Sequence, residues 1–519
     1  MTQTANFLAF DLGASSGRAV LGIFDGERLR LEEVHRFPNG PVRLLDSLHW
    51  DVLRLFEEIK CGLAKCVKTC GADITSLGLD TWGVDFALLD ARDELLGNPY
   101  HYRDGRTNGM MEEAFRRVPR EEIFEYTGIQ FLQLNSLYQL LAMAVQKSPL
   151  LDTAQTFLNM PDLFNFWLTG RKVSEFTIAT TSQCYDPRVG DWAWSMLEKM
   201  GLPTRIFGEI VDPGTQLGPL HPAVAEETGA GPVPVIAIAG HDTGSAVAAL
   251  PKLRGDHAFI SSGTWSILGV ELDEPLITPK TLAYNFTNEG GVQSTFRLMK
   301  NVMGLWLVQE CRREWTQAGP VHRRCYRAGE ELSWDELTGQ AAEAEPFGGL
   351  VMPDDHRFLS PGGMPQKIQS YCAETGQAVP QSKGSIVRCV LESLALTYRR
   401  LLEQLEDMMD RPYPSIHIIG GGSKNRLLNQ LTADAAGKVV IAGPAEATSI
   451  GNILMQALAM GYIASLDEGR DLVRRSFEVT TYEPGERTRW DKAYSRHLEL
   501  IRETRGTKGT KGDTKGTKV

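Results

Sequence analysis

Two stretches, far apart in the chain, repeat one layout, and that repetition constrains the fold more than any other feature. Phe7–Leu8–Ala9–Phe10–Asp11–Leu12 is an apolar run carrying one aspartate. Gly13–Ala14–Ser15–Ser16–Gly17–Arg18 follows, and then the apolar run Ala19–Val20–Leu21–Gly22–Ile23–Phe24. His257–Ala258–Phe259–Ile260, Ser261–Ser262–Gly263–Thr264 and Trp265–Ser266–Ile267–Leu268–Gly269–Val270 repeat the pattern. Each reads as strand, Gly/Ser turn, strand. Such a turn lets backbone N–H groups approach a phosphate, with hydroxyls and Arg18 as further donors. An ordinary hairpin turn is the alternative for either one alone. Two of them, each opening roughly half of the chain, point to an internal duplication whose halves grip a polyphosphate from both sides.

The length of 519 residues also asks for two large domains, because single cores stop growing near about 250–300 residues. A net charge of −11 argues against a nucleic-acid or anionic-membrane surface. It leaves room for an anionic substrate held by a few local donors. No apolar stretch approaches the roughly 20 residues that span a bilayer. The polar start, Met1 to Asn6, shows no secretory signal. Cys61, Cys66 and Cys70 are spaced five and four apart with no CxxC anywhere. The eight cysteines therefore read as reduced thiols of a cytosolic protein. The histidines form no HExxH, which argues against a transition-metal site, and no GxxxxGK[ST] loop occurs.

Val235–Ile236–Ala237–Ile238–Ala239–Gly240–His241–Asp242–Thr243–Gly244–Ser245–Ala246 reads as a buried strand delivering Asp242 to the start of a helix. Ligands of open α/β sheets sit beyond the carboxyl ends of strands. Asp242 is then a candidate general base, or merely the N-cap of the helix that follows. Ser76–Leu77–Gly78–Leu79–Asp80–Thr81–Trp82–Gly83–Val84–Asp85–Phe86–Ala87–Leu88–Leu89–Asp90 reads as strand, polar interruption, strand. Polar groups beside an aromatic ring suit a sugar pocket, although Trp82 fits core packing equally well. Tyr102–Arg103–Asp104–Gly105–Arg106–Thr107 adds a polar loop, functional or a surface turn with local ion pairs. His417–Ile418–Ile419 runs into Gly420–Gly421–Gly422–Ser423–Lys424–Asn425 and a helix. That suits a nucleotide base or ribose lying flat on the backbone, or a tight turn. Helices are expected over 50–67, 134–145, 160–168, 192–200, 303–315, 385–409, 427–436 and 447–460.

Taken in order, DLG-x-SSGR, LDTWGVDF, GHDT, SSGTWS and IGGGSKN resemble the FGGY carbohydrate kinases. Tyr102–Arg103–Asp104, Gly128–Ile129–Gln130–Phe131, Met160–Pro161–Asp162, Asn288–Glu289–Gly290–Gly291 and Lys300–Asn301 match as well, so the resemblance spans about residues 7–477. It implies an α/β fold of two actin-like (ribonuclease H-like) domains, each a mixed sheet flanked by helices, with the site in a cleft. The implied division is a sugar-binding domain over 1–250, a nucleotide-binding domain over 251–485, a C-terminal helix over 486–504 and a disordered Thr-Lys-Gly tail over 505–519. The implied reaction is ATP-dependent phosphorylation of L-rhamnulose at its primary hydroxyl, with Mg²⁺. Fuculose or xylulose as the ketose, or a non-enzymatic actin-like ATP switch, are the alternatives.

By matching positions, Asp242 would be the proton acceptor, and Gly83, His241, Asp242, Thr243 and Asn301 would contact the sugar. Ala14, Ser15, Ser16, Gly17, Arg18, Thr264, Gln309 and Gly421 would contact ATP. Asp11 would hold the metal through water. Neither a nucleic acid nor a membrane is implied as a partner, and monomer and homodimer both stay open.

Overall fold

The computed structural model describes residues 4–251, 257–316 and 332–510, with side chains as far as 503. The chain divides into two compact units. Unit 1 comprises Met1–Arg254, Gly269–Lys300 and Glu446–Glu478, and unit 2 comprises Gly255–Leu268, Asn301–Ala445 and Val479–Val519. The units therefore do not follow a single cut of the chain.

Unit 1 is built on six strands: β1 (Ala5–Leu12), β2 (Ser16–Phe24), β3 (Leu29–Pro38), β4 (Ser76–Thr81), β5 (Thr215–Pro219) and β6 (Pro234–Ala237). Their order in the sheet is β5-β6-β4-β1-β2-β3. β1, β2 and β3 form an antiparallel meander, while β4 runs parallel to β1 and β6 parallel to β4. The three parallel strands are buried along most of their length, as expected for strands covered on both faces.

The helix α1 (Val52–Cys70) starts where the Asp51 side chain accepts from the Arg54 N–H. Val52, Leu55, Ile59, Leu63 and Cys66 recur at helical spacing and form its buried stripe. Two further helices place the chemistry. They are α2 (Asp242–Ala248) and α3 (Ala447–Ala459). Strand β4 has a glycine where α3 crosses it, and a Cβ on Gly78 would stand 2.6 Å from Asn452 Oδ1. That close approach brings polar side chains of α3 onto the strands: Asn452 Nδ2 donates to Asp80 Oδ2 at 2.7 Å, and Gln456 Nε2 to the Leu8 carbonyl at 3.0 Å. Ser76 Oγ donates to Gln456 Oε1 at 2.8 Å, so both amides of α3 find partners on the strands.

Unit 2 opens on the second hairpin, β7 (His257–Ser262) and β8 (Trp265–Leu272), and continues through β9 (Ser415–Ile419), β10 (Val439–Ala442) and β11 (Thr480–Tyr482). The order is β8-β7-β9-β10-β11, with β7, β9 and β10 parallel. The long helix Lys383–Met409 starts at a capping box formed by Ser382 and Ser385. Against it packs the helix Thr488–Thr510, with the Arg399 guanidinium 2.7 Å from Asp491 and 4.0 Å above the Tyr494 ring. That last helix continues six residues past the expected limit of 504. Extension of an existing helix needs only one hydrogen bond per residue ordered, whereas a new one needs a nucleus. Residues 511–519 of the expected tail lie outside the described residues.

The other differences are local. The first turn is shorter than expected because Ser16, Gly17 and Arg18 already belong to β2. The helix expected from 303 begins at Trp306, since Phe296–Met303 is a strand. The second strand of the 76–90 segment, Phe86–Leu89, pairs with Thr156–Asn159 outside the main sheet. Among the described residues, no helix is long and apolar enough to cross a membrane.

Candidate active site

Parallel pairing determines which side chains meet in unit 1. Asp11 on β1 is the register partner of Asp80 on β4, and Thr81 at the end of β4 bridges to His241. Asp11, Asp80 and Asp242 therefore gather at the carboxyl ends of three neighbouring strands, where open α/β sheets hold ligands. Burial raises the pKa of Asp80 well above the ordinary carboxylate range. The Asp11 charge adds to the rise and the Asn452 bond opposes it.

The strand end carrying Asp242 is clamped from beneath. Glu175 Oε2 accepts from the Gly240 N–H at 2.9 Å and from Thr177 Oγ1 at 2.6 Å. Thr177 Oγ1 in turn accepts from the His241 N–H at 3.3 Å. Burial pushes the Glu175 carboxyl up to about 7. No motif in the sequence marked Glu175. His241, not Asp242, occupies the N-cap position, and its side chain makes no capping bond. Asp242 is the first residue of α2, with Oδ1 accepting from Thr243 Oγ1 at 3.1 Å. Its side chain is 34% exposed. Loss of surrounding water raises its pKa, His241 pulls it down, and Asp11 pushes it up.

Gly83 comes beside this group. A Cβ there would stand 3.3 Å from His241 Nε2, so its absence keeps the space next to the imidazole open. The adjoining Val84 has φ +69°, a left-handed conformation that a β-branched residue rarely adopts. Thr181 Oγ1 accepts from its N–H, and its carbonyl accepts from Ser136 Oγ and Gln139 Nε2. Strained backbone of this kind clusters at functional sites.

The aromatic part of the segment behaves differently from the sugar-stacking option. Trp82 is 5% exposed and packs on Trp50 with ring centroids 3.9 Å apart. Asp85 accepts from Trp50 Nε1 (2.5 Å), Trp82 Nε1 (3.0 Å), Gln139 Nε2 (2.9 Å) and the Tyr102 N–H (3.2 Å). Both of its oxygens are used, and burial holds its carboxyl at about 6. Trp82 and Asp85 shape the wall behind Gly83, and both Asp85 oxygens serve internal donors.

At the first hairpin, the turn is closed by the Gly13 N–H donating to the Ser16 carbonyl at 3.0 Å, and Asn39 Nδ2 donates to the Gly13 carbonyl at 2.8 Å. Ala14 and Ser15 form its tip, and Ser15 is exposed. Arg18 Nε and Nη2 donate to Asp11 Oδ2 at 3.1 and 2.8 Å, and Nη1 pairs with Glu446. A phosphate reaching Arg18 would compete with these carboxylates. Sequence reasoning missed Glu446; its one signal was a carboxylate directly before an apolar helix.

In unit 2, the second hairpin and the glycine run converge. Thr264 Oγ1 donates to Gln309 Oε1 at 3.1 Å. Gly422 lies so close to β7 that a Cβ would meet Ser262 Oγ at 2.0 Å. Gly421 faces open space, and Gly420 turns the chain with φ +81°. Thr264, Gln309 and Gly421 thus gather around the carboxyl end of β7. Asn301 lies half-buried in Phe296–Met303.

The two turn glycines give a contrasting prediction. A Cβ on Gly17 would stand 2.2 Å from the buried Phe37 ring, whereas on Gly263 the nearest atom is 3.7 Å away. Gly17→Val is therefore expected to lower the thermal midpoint by crowding the core. Gly263→Val is expected to keep the midpoint and raise the KM for ATP. Thermal melts and ATP titrations of both variants check this.

Among the described residues, no cluster of three or more His, Cys, Asp or Glu side chains could hold a metal directly. Asp80 Oδ1 is nevertheless buried without a partner, next to two further carboxylates. This donor set fits a hard divalent cation that keeps its water shell, which is the usual habit of Mg²⁺ with nucleotides.

A mixed-sheet unit with carboxylates at its strand ends, in a chain with paired Gly/Ser hairpins, is an arrangement suited to phosphoryl transfer. Models of the FGGY family of carbohydrate kinases match the chain at residues 6–249 (N-terminal domain) and 258–460 (C-terminal domain). The chain belongs to this family and is a carbohydrate kinase. It is similar to the rhamnulokinase of Bacteroides thetaiotaomicron, 46% identical over 497 residues, covering 96% of this chain and 99% of the relative. The rhamnulokinase of Oceanobacillus iheyensis is 43% identical over 475 residues, 92% of this chain and 97% of the relative. The xylulose kinase and gluconate kinase of Lactobacillus acidophilus share the fold, with TM-scores of 0.75 and 0.74 at 16% identity. The alignments cover 98% and 99% of this chain, and 99% of each of the two structures. The two-domain α/β architecture expected from the sequence is thereby borne out.

Proposed function

We propose that this chain transfers the γ-phosphoryl group of ATP to the C1 hydroxyl of L-rhamnulose, giving L-rhamnulose 1-phosphate and ADP in rhamnose catabolism. The observation that carries the chemistry is Asp242, one third exposed beyond a strand end, 3.4 Å from the His241 Nε2 that also faces the bare Cα of Gly83. The choice of ketose rests on likeness to the rhamnulokinases over nearly the whole chain.

In this reading, Gly83, His241, Thr243 and Asn301 hold the sugar, and Asp242 accepts the C1 hydroxyl proton as the oxygen attacks phosphorus and the bond to the ADP oxygen breaks. Residues 14–18, Thr264, Gln309 and Gly421 bind the nucleotide through backbone N–H groups and hydroxyls. Mg²⁺ bound with ATP would neutralise phosphate charge, with Asp11 facing it through water. The reaction is placed in the cytoplasm, where ATP is supplied and thiols stay reduced. The seven cysteines among the described residues are all free.

A panel of ketoses assayed with Mg·ATP tests the proposal. L-Rhamnulose should show the highest kcat/KM, and preference for fuculose or xylulose would replace the substrate. ATP turnover that no sugar stimulates would favour a conformational switch instead.

The raised pKa of Asp242 sets a pH dependence. Below its pKa the base carries a proton and cannot accept another, so activity falls with acid. The acid limb of kcat/KM is expected above the ordinary aspartate value of 3.8. A profile that stays flat down to pH 4 would contradict the assignment.

A further inference from the structure

Behind His241 lies a charged pair that the proposed reaction does not use. Glu289 sits in Thr287–Gly290 and Arg297 in Phe296–Met303, which pair as an antiparallel hairpin with Glu289 opposite Arg297. Arg297 is wholly buried and Glu289 nearly so, at 0% and 5% exposure. Arg297 Nε donates to the Gly290 carbonyl at 2.9 Å, and its Nη2 lies 3.6 Å from Glu289 Oε2 and 3.4 Å from His241 Nδ1. The hairpin is anchored by the Gly290 N–H donating to Thr180 Oγ1 at 2.9 Å, in the same short helix that clamps the Gly240–His241 backbone.

Burying an arginine and a glutamate together is weak evidence for stability, since apolar residues of similar volume often do as well or better. The pair therefore calls for another role, and its geometry supplies one. His241 Nδ1 is 3.0 Å from Glu289 Oε2, and His241 Nε2 is 3.4 Å from Asp242 Oδ1. The imidazole spans two carboxylates, one on the hairpin and one at the start of α2. A carboxylate on one ring nitrogen determines both the orientation of the ring and which nitrogen carries the proton. With Nδ1 turned toward Glu289 and Arg297, the Nε2 edge is the one presented to Asp242 and to the open space beside Gly83.

We propose that Glu289, backed by Arg297, is a positioning residue that holds His241 by Nδ1 so that its Nε2 edge faces Asp242 and the sugar hydroxyl. This rests on the proposed reading of His241 as a sugar contact and of Asp242 as the base. Glu289 is 5% exposed behind His241, so its role in this reading is exerted through His241.

A double-mutant cycle tests this. Glu289→Gln keeps the volume and removes the charge, and it is expected to lower kcat/KM for the ketose about 10–100-fold, the usual effect of removing a second partner of a functional histidine. The KM for ATP should not change. In a His241→Asn background, adding Glu289→Gln should cost nothing further, because residues acting through one another are not additive. Full activity of Glu289→Gln, or losses that multiply in the double variant, would overturn the proposal. Should Glu289→Gln fail to fold, the pair Glu289→Gln with Arg297→Met removes both charges and carries the same cycle. Asp242→Asn, assayed alongside, separates the two readings. An active Asp242→Asn enzyme with non-additive Glu289 and His241 losses would sink the base and keep the positioning role. An inactive one with multiplying losses would sink the positioning role alone.

Discussion

Asp242→Asn is expected to lose on the order of 10²–10⁴-fold in kcat, the usual contribution of a positioned proton acceptor, while keeping its fold and its affinity for ATP. Asparagine matches aspartate in shape and can still accept from Thr243 Oγ1, but it cannot take a proton from a hydroxyl. The structure sharpens this experiment, because the N-cap of α2 is His241 and Asp242 is the first helical residue. The substitution therefore removes a charge and not a cap. Removing that charge also removes the burial cost that, with the smaller Asp11 repulsion and against the His241 attraction, pushes the Asp242 pKa up, so the thermal midpoint should hold or rise slightly. Measurement of kcat and of the midpoint on one preparation decides the matter. A nearly normal kcat would leave the mechanism without a base.

Gly451→Val is expected to destabilise the protein by about 3 kcal/mol or more, at the upper end for overpacking. A Cβ on Gly451 would stand 1.7 Å from the Ser245 carbonyl oxygen and 2.6 Å from its carbon. These are backbone atoms of α2, so no side-chain rotation relieves the clash, and α2 and α3 must move apart. Asp242 opens α2, and Asn452 next to Gly451 bonds Asp80. The same shift therefore displaces two of the three strand-end carboxylates. Thermal unfolding and kcat should both fall, with the KM for ATP less affected. A variant melting like the parent enzyme would mean that the two helices are less closely packed than 1.7 Å implies.

Much of this protein is legible in its local chemistry. The hairpins at 7–24 and 257–270, the strand leading to Asp242 and the glycine run at 420–422 are short-range patterns. Alternation, a breaking glycine and apolar spacing act between residues a few positions apart, and those residues are visible in the chain. The pairing of β1 with β4 is not visible there, because register is set between strands more than sixty residues apart. Trp82 shows the same limit. Sugar platform and core ring look alike in sequence, and only the Trp50 ring, 3.9 Å away and distant in the chain, assigns it to the wall.

Asn452 and Gln456 are the strongest tertiary signal that the motifs leave out. Two amides four positions apart in a mostly apolar helix must find buried partners, and they do so at Asp80, Leu8 and Ser76. Glu175 and Arg297 carry no comparable mark, and Glu289 is marked only as part of the Asn288–Gly291 stretch.

By itself, then, the sequence determined the family, the duplicated strand–turn–strand plan and which carboxylate to propose as the proton acceptor. Each of these depends on residue types in local order. The tertiary structure alone decided which chain segments share a unit, why Gly17 serves the core and Gly263 does not, and what stands behind His241. Those outcomes depend on side chains meeting across the fold, where burial and paired charge are properties of the neighbours and not of the residue.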